Sequence, residues 1–310
     1  MTKVELKQRI EELKREKGAV ILAHYYTSDD VQEVADFLGD SLALSVKARD
    51  IDAPIILFAG VNFMAETAKV LSPEKKVLLP VVEAGCSLAD SCDAEELRRA
   101  RQDNPDHLVV SYVNTSVEVK ALTDICCTSS NALDIINALP REQKILFVPD
   151  RNLGSYINRC TGRGMKLWNG ACLVHEEFSA EKILALKALH PEAVVLVHPE
   201  CKAEVVALAD YAGSTAGILA YCARPEVKEV IVVTESGILY EMESRHPDKK
   251  FYLVEPEKSC EGCVSCRDMK LVTLDNIYQT LLTESPEVVI DEEVRAAAER
   301  SIRRMLEMSK

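Results

Sequence analysis

No stretch of this 310-residue chain approaches the roughly 20 uninterrupted apolar residues that a membrane span requires. Its start, Met1-Thr-Lys-Val-Glu-Leu-Lys7, has neither the apolar core of a secretory signal nor the Arg/Ser-rich pattern of a transit peptide. Positive charge is short as well. The chain has 37 Lys and Arg against 50 Asp and Glu, a net charge of −13, which argues against a nucleic-acid backbone or an anionic membrane surface as partner. Together these absences predict a cytoplasmic protein with no membrane and no nucleic-acid partner, in which any anionic ligand is held by local groups. With 47% apolar and 28% charged residues, the composition is that of a globular chain with room for two or three compact units, not of a disordered or collagen-like one.

What the chain does contain is cysteine, eleven in all. Without an export signal they are not expected to pair as disulfides, because the cytosol keeps thiols reduced. Free cysteine is also a common buried packing residue, so only position within a larger pattern marks a ligand.

The larger pattern is an internal repeat. Apolar, β-rich runs that end in polar or aromatic residues recur as Val20-Ile-Leu-Ala-His-Tyr-Tyr26, Leu108-Val-Val-Ser-Tyr-Val-Asn114 and Val194-Val-Leu-Val-His-Pro-Glu200, with ends 88 and then 86 residues apart. About fifteen residues further on, each copy places a hydroxyl before a helical pattern, at Ser41, Ser129 and Thr215, again 88 and 86 apart. A second apolar run follows in each copy (Ile55–Gly60, Ile145–Asp150, Val230–Glu235), and a third, shorter one lies near Val77–Pro80, Met165–Trp168 and Phe251–Val254. Helix-start signals precede the first run of each copy: the capping box Thr2-Lys-Val-Glu5, the similar Asp93-Ala-Glu-Glu96, and Ser179.

Continuous apolar runs alternating with helices indicate parallel strands covered on both faces. The expected fold is α/β: three pseudo-equivalent three-layer α/β units with short three-stranded parallel sheets around a pseudo-threefold axis. The units span residues 1–90, 91–175 and 176–310, the last including C-terminal helices expected to pack back on the outside. Ligands of such units sit beyond the carboxyl ends of the strands, so one central cavity is expected there.

The third-strand ends carry Cys86, Cys172 and, in the last copy, Cys260, Cys263 or Cys266. One thiolate from each repeat converging on one point suits a soft metal centre. A cubane iron-sulfur cluster on three cysteines leaves one iron open as a Lewis acid, whereas zinc would use the same cysteines with a water. The lack of an apparent His ligand favours iron-sulfur. The run Cys260-x-x-Cys263-x-x-Cys266 begins like a ferredoxin motif, but Lys270 stands where the fourth cysteine belongs, which disfavours a self-contained electron-transfer site. The two thiols not used as a ligand are either a redox-sensitive pair or plain loop thiols. Cys92, Cys126, Cys127, Cys160, Cys201 and Cys222 read as packing residues.

The first-strand ends supply His24, Tyr26, Tyr112, Asn114, His198 and Glu200, a set rich in proton carriers and hydrogen-bond donors. Ser41, Ser129 and Thr215 each read as a simple helix cap alone, but three around one axis suggest a polyanionic substrate.

Taken in order, His24-Tyr-Tyr26, Gly39-Asp-Ser41, Gly85-Cys86, Ser111-Tyr-Val-Asn114, Cys127-Thr-Ser-Ser-Asn131, Asn169-Gly-Ala-Cys172, His198-Pro-Glu200, Gly213-Ser-Thr215 and the Cys260–Cys266 triplet resemble the quinolinate synthases of bacterial and archaeal NAD biosynthesis. The resemblance covers residues 18–270. It implies a [4Fe-4S] cluster on Cys86, Cys172 and Cys266, and a condensation of iminoaspartate with dihydroxyacetone phosphate that releases phosphate and water as quinolinate forms. Iminoaspartate would come from a partner enzyme or a chemical supply. The implied substrate-binding set is His24, Ser41, Tyr112, Val113, Asn114, Ser129, His198, Pro199, Glu200 and Thr215. The implied catalytic candidates are Tyr26, Tyr112, His198 and Glu200, with proton transfers assigned to Tyr26 and Glu200. Two other readings stand beside it: another iron-sulfur hydro-lyase acting on a small hydroxy acid, and a non-enzymatic iron-sulfur redox sensor.

Overall fold

The computed structural model describes residues 1–255 and 265–309. Cys260 and Cys263, read above as a redox pair or loop thiols, lie outside the described residues.

The first unit runs α1 (Lys3–Lys17), β1 (Ala19–His24), α2 (Asp29–Val34), β2 (Phe37–Gly39), α3 (Ser41–Asp50), β3 (Ile55–Ala59), α4 (Asn62–Leu71), β4 (Lys76–Leu78) and the one-turn α5 (Ser87–Asp90). The second repeats this order as α6 (Ala94–Asp103), β5 (His107–Tyr112), α7 (Val117–Ala121), β6 (Ile125–Cys127), α8 (Ala132–Ala138), β7 (Lys144–Val148), α9 (Arg151–Thr161), β8 (Lys166–Leu167) and α10 (Leu173–Glu176). The third comprises α11 (Ala180–Leu189), β9 (Val194–Val197), α12 (Ala203–Val206), β10 (Tyr211–Ala212), α13 (Thr215–Cys222), β11 (Glu229–Val233), α14 (Ile238–Arg245) and β12 (Lys250–Leu253). Two further helices, α15 (Leu274–Thr283) and α16 (Glu292–Met308), complete the chain.

Each sheet is parallel and four-stranded, in the orders β2-β1-β3-β4, β6-β5-β7-β8 and β10-β9-β11-β12. The three-strand expectation is therefore short by one edge strand per unit. Those edges, β2, β6 and β10, span only two or three residues, too few to register as apolar runs. One device places all three. Asp36, Asp124 and Asp210 each accept the backbone N–H of a first-strand residue, from Ile21 at 2.7 Å, Val109 at 2.8 Å and Val195 at 2.8 Å. Their own N–H groups bond back to the same three residues' carbonyls. The chain is thereby folded back onto the first strand just before the hydroxyl-bearing helix starts.

Helix starts follow their local chemistry. Thr2 and Glu5 form the reciprocal cap expected of them, and Asp93 accepts from Glu96 N, each such cap contributing about 1 kcal/mol. Ser179 sits at the start of α11 but makes no side-chain cap bond. At the end of α1, Gly18 takes a left-handed φ of 62°, which turns the chain directly into β1.

Both faces of the sheets are covered. In the first unit Ile21, Ala23 and Leu57 pack under α1 and α15, while Leu22, Ile56 and Phe58 join a second core shared with the second unit through Val110, Phe147 and Ile135. The tail packs on the first two units. α15 packs on α1, and α16 packs against α7, β6 and α4, burying Ala298, Ile302, Met305 and Leu306 in the core common to units one and two. The apolar face of α16 requires such a cover. Among the described residues, no helix is long and apolar enough to cross a membrane.

Candidate active site and metal centre

Three parallel sheets with equivalent strand ends turned toward one point leave a cavity between them. His24, Tyr26, Ser41, Tyr112, Asn114, Ser129, His198, Glu200 and Thr215 all line it, as do Cys86, Cys172 and Cys266. Val113 and Pro199 are buried beside these residues but are absent from the lining, and Val113 packs in the core. Both lie just past the ends of β5 and β9, between residues whose side chains reach the cavity.

The thiols come one from each sheet's outer end. Cys86 starts α5 and Cys172 starts α10. Cys266 precedes a single 3-10 turn, Met269–Leu271. Each sulfur is approached by backbone N–H groups two or three residues downstream: Leu88 and Ala89 for Cys86, His175 for Cys172, Asp268 and Met269 for Cys266. Even so, burial, with added repulsion from neighbouring anionic groups, pushes Cys86 up to about 12, Cys266 up to about 11 and Cys172 well above the ordinary thiol value. Three crowded, buried thiols that already receive N–H bonds fit a cationic metal centre, which would stabilise the thiolate form.

His24 and His198 occupy equivalent positions and behave alike. Each ring accepts at Nδ1 from the backbone N–H two residues on, Tyr26 N at 3.1 Å and Glu200 N at 3.3 Å. Burial pushes both imidazoles down to about 3, so they are neutral at pH 7 and carry their hydrogen on Nε2. The cavity thus has two Nε2–H donors. Asn114 Oδ1 is buried there with no hydrogen-bond partner, an acceptor left for a ligand.

Glu200 is buried, yet its carboxyl lies below the ordinary value. Burial would raise it, but the His198 and His175 imidazoles and hydrogen bonds from His175 and Tyr112 outweigh that. Tyr112 donates to Oε1 at 2.5 Å, and His175 Nδ1 lies 3.0 Å from Oε2. Tyr26 Oη lies 2.8 Å from Thr215 Oγ1, and burial raises its phenol well above the usual range.

The hydroxyl triplet differs in detail from the expectation. Ser41 and Thr215 are first helical residues, the caps being Asp40 and Ser214. Ser129 lies in a turn two residues before Asn131, which caps α8. Ser130 Oγ donates to Asp40 Oδ2 at 2.6 Å and lies 2.8 Å from Ser214 Oγ, tying the three helix starts together.

Several cavity residues carried no sequence signal. His175 Nδ1 lies 3.3 Å from Cys172 Sγ, contrary to the expectation of thiols without a histidine. Among the described residues Cys172, His175 and Glu200 present donor atoms within 4.8 Å of one another. The i, i+3 spacing of Cys172 and His175 is one helical turn and could have suggested the pair. Glu235, fully buried at the end of β11, accepts Cys266 N at 3.0 Å and Gly237 N at 2.6 Å, so it anchors the third thiol's backbone. Lys270 reaches from Glu235 (3.4 Å) to the Tyr26 carbonyl (2.8 Å). Of the remaining thiols, Cys92, Cys126, Cys127, Cys201 and Cys222 are buried as expected, but Cys160 is exposed near the end of α9.

The family described as Quinolinate synthetase A protein matches residues 8–307. A quinolinate synthase of Nostoc sp. (strain PCC 7120) is 52% identical over 97% of this chain and 92% of its own length. Those of Microcystis aeruginosa and Chloroherpeton thalassium are 51% and 50% identical, over 97% and 100% of this chain and 94% and 96% of theirs. With matches of this extent, the chain belongs to the quinolinate synthase family of enzymes.

Proposed function

We propose that this chain condenses iminoaspartate with dihydroxyacetone phosphate to give quinolinate, with loss of phosphate and water, in the cytoplasm and in functional coupling with an iminoaspartate-producing enzyme. The observation that carries the reading is the convergence of one cysteine from each unit on a cavity ringed by hydrogen-bond donors, in a chain of this family. Cys86, Cys172 and Cys266 would hold a [4Fe-4S] cluster, which supplies a Lewis acid for the leaving hydroxyl.

The chain's own groups divide the remaining work. Ser41, Ser129 and Thr215, with the free N–H groups at the starts of α3 and α13, bind the anionic ends of the substrates without needing a basic surface. The Nε2–H groups of His24 and His198 donate to carboxylate or carbonyl oxygens, and Asn114 Oδ1 accepts from an imine or hydroxyl hydrogen. Glu200, held ionised, takes protons while Tyr112 donates to its Oε1, and the Tyr26 phenol, held neutral, serves proton transfer.

The test is anaerobic purification, iron and sulfide quantitation with an absorbance spectrum, then assay of quinolinate and phosphate. About four irons and four sulfides per chain, with both products formed, are expected. Phosphate release from dihydroxyacetone phosphate separates this reading from another hydro-lyase, and turnover separates it from a sensor. The Cys172, His175 and Glu200 donors favour zinc as the second reading, and stoichiometric zinc without iron would establish it.

A further inference from the structure

Thr234, at the end of β11, is fully buried and bonds across units. Its Oγ1 lies 2.9 Å from Tyr26 Oη on the first unit and 3.0 Å from His175 Nε2 on α10. Other buried threonines here, Thr67, Thr123 and Thr161, spend their hydroxyls on the carbonyl one helical turn back. Thr234 instead joins two side chains of the cavity wall.

The chain of contacts continues at both ends: His175 Nδ1 lies 3.0 Å from Glu200 Oε2, and Tyr26 Oη lies 2.8 Å from Thr215 Oγ1. A hydroxyl has one hydrogen and two lone pairs, so Thr234 can bond both of its neighbours at once. One hydroxyl thereby joins the Tyr26 phenol to the His175 ring and, through that ring, to Glu200. No water need enter this dry wall, since every link is a direct contact of 2.8–3.0 Å.

We propose that Thr234 is a positioning residue. Its hydroxyl holds the Tyr26 phenol and the His175 ring together, keeping Tyr26 and Glu200 in mutual register from two different units. The catalytic consequence rests on the proposed quinolinate chemistry, but the hydrogen-bond geometry does not.

The test compares Thr234→Val, which keeps the shape and removes the hydroxyl, with Thr234→Ser, which restores it, at matched iron content and thermal stability. Thr234→Val is expected to lower kcat for quinolinate formation at least about tenfold, a modest part of what a well-placed acid or base contributes. KM should stay within about threefold, and Thr234→Ser should return kcat to within about threefold of the native enzyme. If the valine variant does not fold, Thr234→Ala reads the same loss. A valine or alanine variant with native kcat, or a serine variant as impaired as the valine one, would overturn the role.

Should the native enzyme make no quinolinate, the functional reading fails while this one is still decided by nitrogen NMR of the full chain prepared without metal. The His175 Nε2 resonance, assigned with His175→Gln, should move toward that of an unbonded imidazole nitrogen in Thr234→Val and not in Thr234→Ser. An unmoved resonance would refute the hydrogen bond.

Discussion

Tyr112 and Glu200 come from different units, at the ends of strands that do not pair, yet the phenol donates to Glu200 Oε1 at 2.5 Å inside the shared cavity. The contact exists only because the sheets direct equivalent ends inward. It makes the carboxylate's state depend on two units at once, with His175 on its other oxygen.

Replacing Glu200 with Gln keeps the size of the side chain but removes its charge and its ability to take a proton. Metal content and the absorbance spectrum are expected to survive, while kcat falls at least about 100-fold, the usual contribution of an acid or base. Steady-state kinetics on protein of matched iron content would check this, and full activity would remove Glu200 from the chemistry.

Single Cys→Ser changes at positions 86, 172 and 266 are expected to abolish iron binding and the visible absorbance, because each removes one third of a site built from three units. The same change at Cys260 or Cys263 should leave both largely intact. Iron retained in Cys266→Ser and lost in Cys263→Ser would transfer the third ligand to Cys263.

At Gly237 the third unit comes close to the backbone of the first. A Cβ there would lie 2.6 Å from the Tyr25 carbonyl oxygen, 2.8 Å from Tyr26 Cα and 2.9 Å from Glu235 Oε2. Backbone cannot retreat cheaply, so Gly237→Ala is expected to cost about 1–3 kcal/mol and to displace Tyr26. A lower unfolding temperature together with a reduced kcat is the expected pair of observations. A stable variant with native kinetics would show that the two units can part without consequence.

Glu284, at the end of α15, bonds Lys17 of α1 at 2.8 Å and Lys76 of β4 at 2.6 Å, and those bonds hold its carboxyl down at about 2. A depressed carboxyl contributes stability above its unfolded value, near 4.5, and loses it as pH falls toward 2. Glu284→Gln is therefore expected to melt below the native protein at pH 7, with the gap narrowing from about pH 4.5 downward. A gap independent of pH would mean that the ion pairs do not contribute. The effect should also shrink in high salt, since the group is partly exposed.

The sequence carried the repeat and, with it, most of the site. Steps of 88 and 86 residues made His24, Tyr112 and His198 equivalents, likewise Tyr26, Asn114 and Glu200, and likewise Ser41, Ser129 and Thr215. A parallel α/β unit puts its chemistry at strand ends, so these positions were legible before any contact was known. Less visible was the aspartate that holds each edge strand: Asp36, Asp124 and Asp210 keep the same steps, but they flank strands too short to show a pattern.

The sequence by itself determined the fold class, the threefold repetition and the family, because buried parallel strands and their end residues leave periodic marks along one chain. Only the tertiary structure decided that His175 meets Cys172 and Glu200, that Thr234 bridges Tyr26 and His175, that Glu235 holds Cys266, and that α16 seals units one and two. Each of these is a contact between segments tens to hundreds of residues apart, or on a helix of a single turn. Packing across units sets such contacts, and no local periodicity records them.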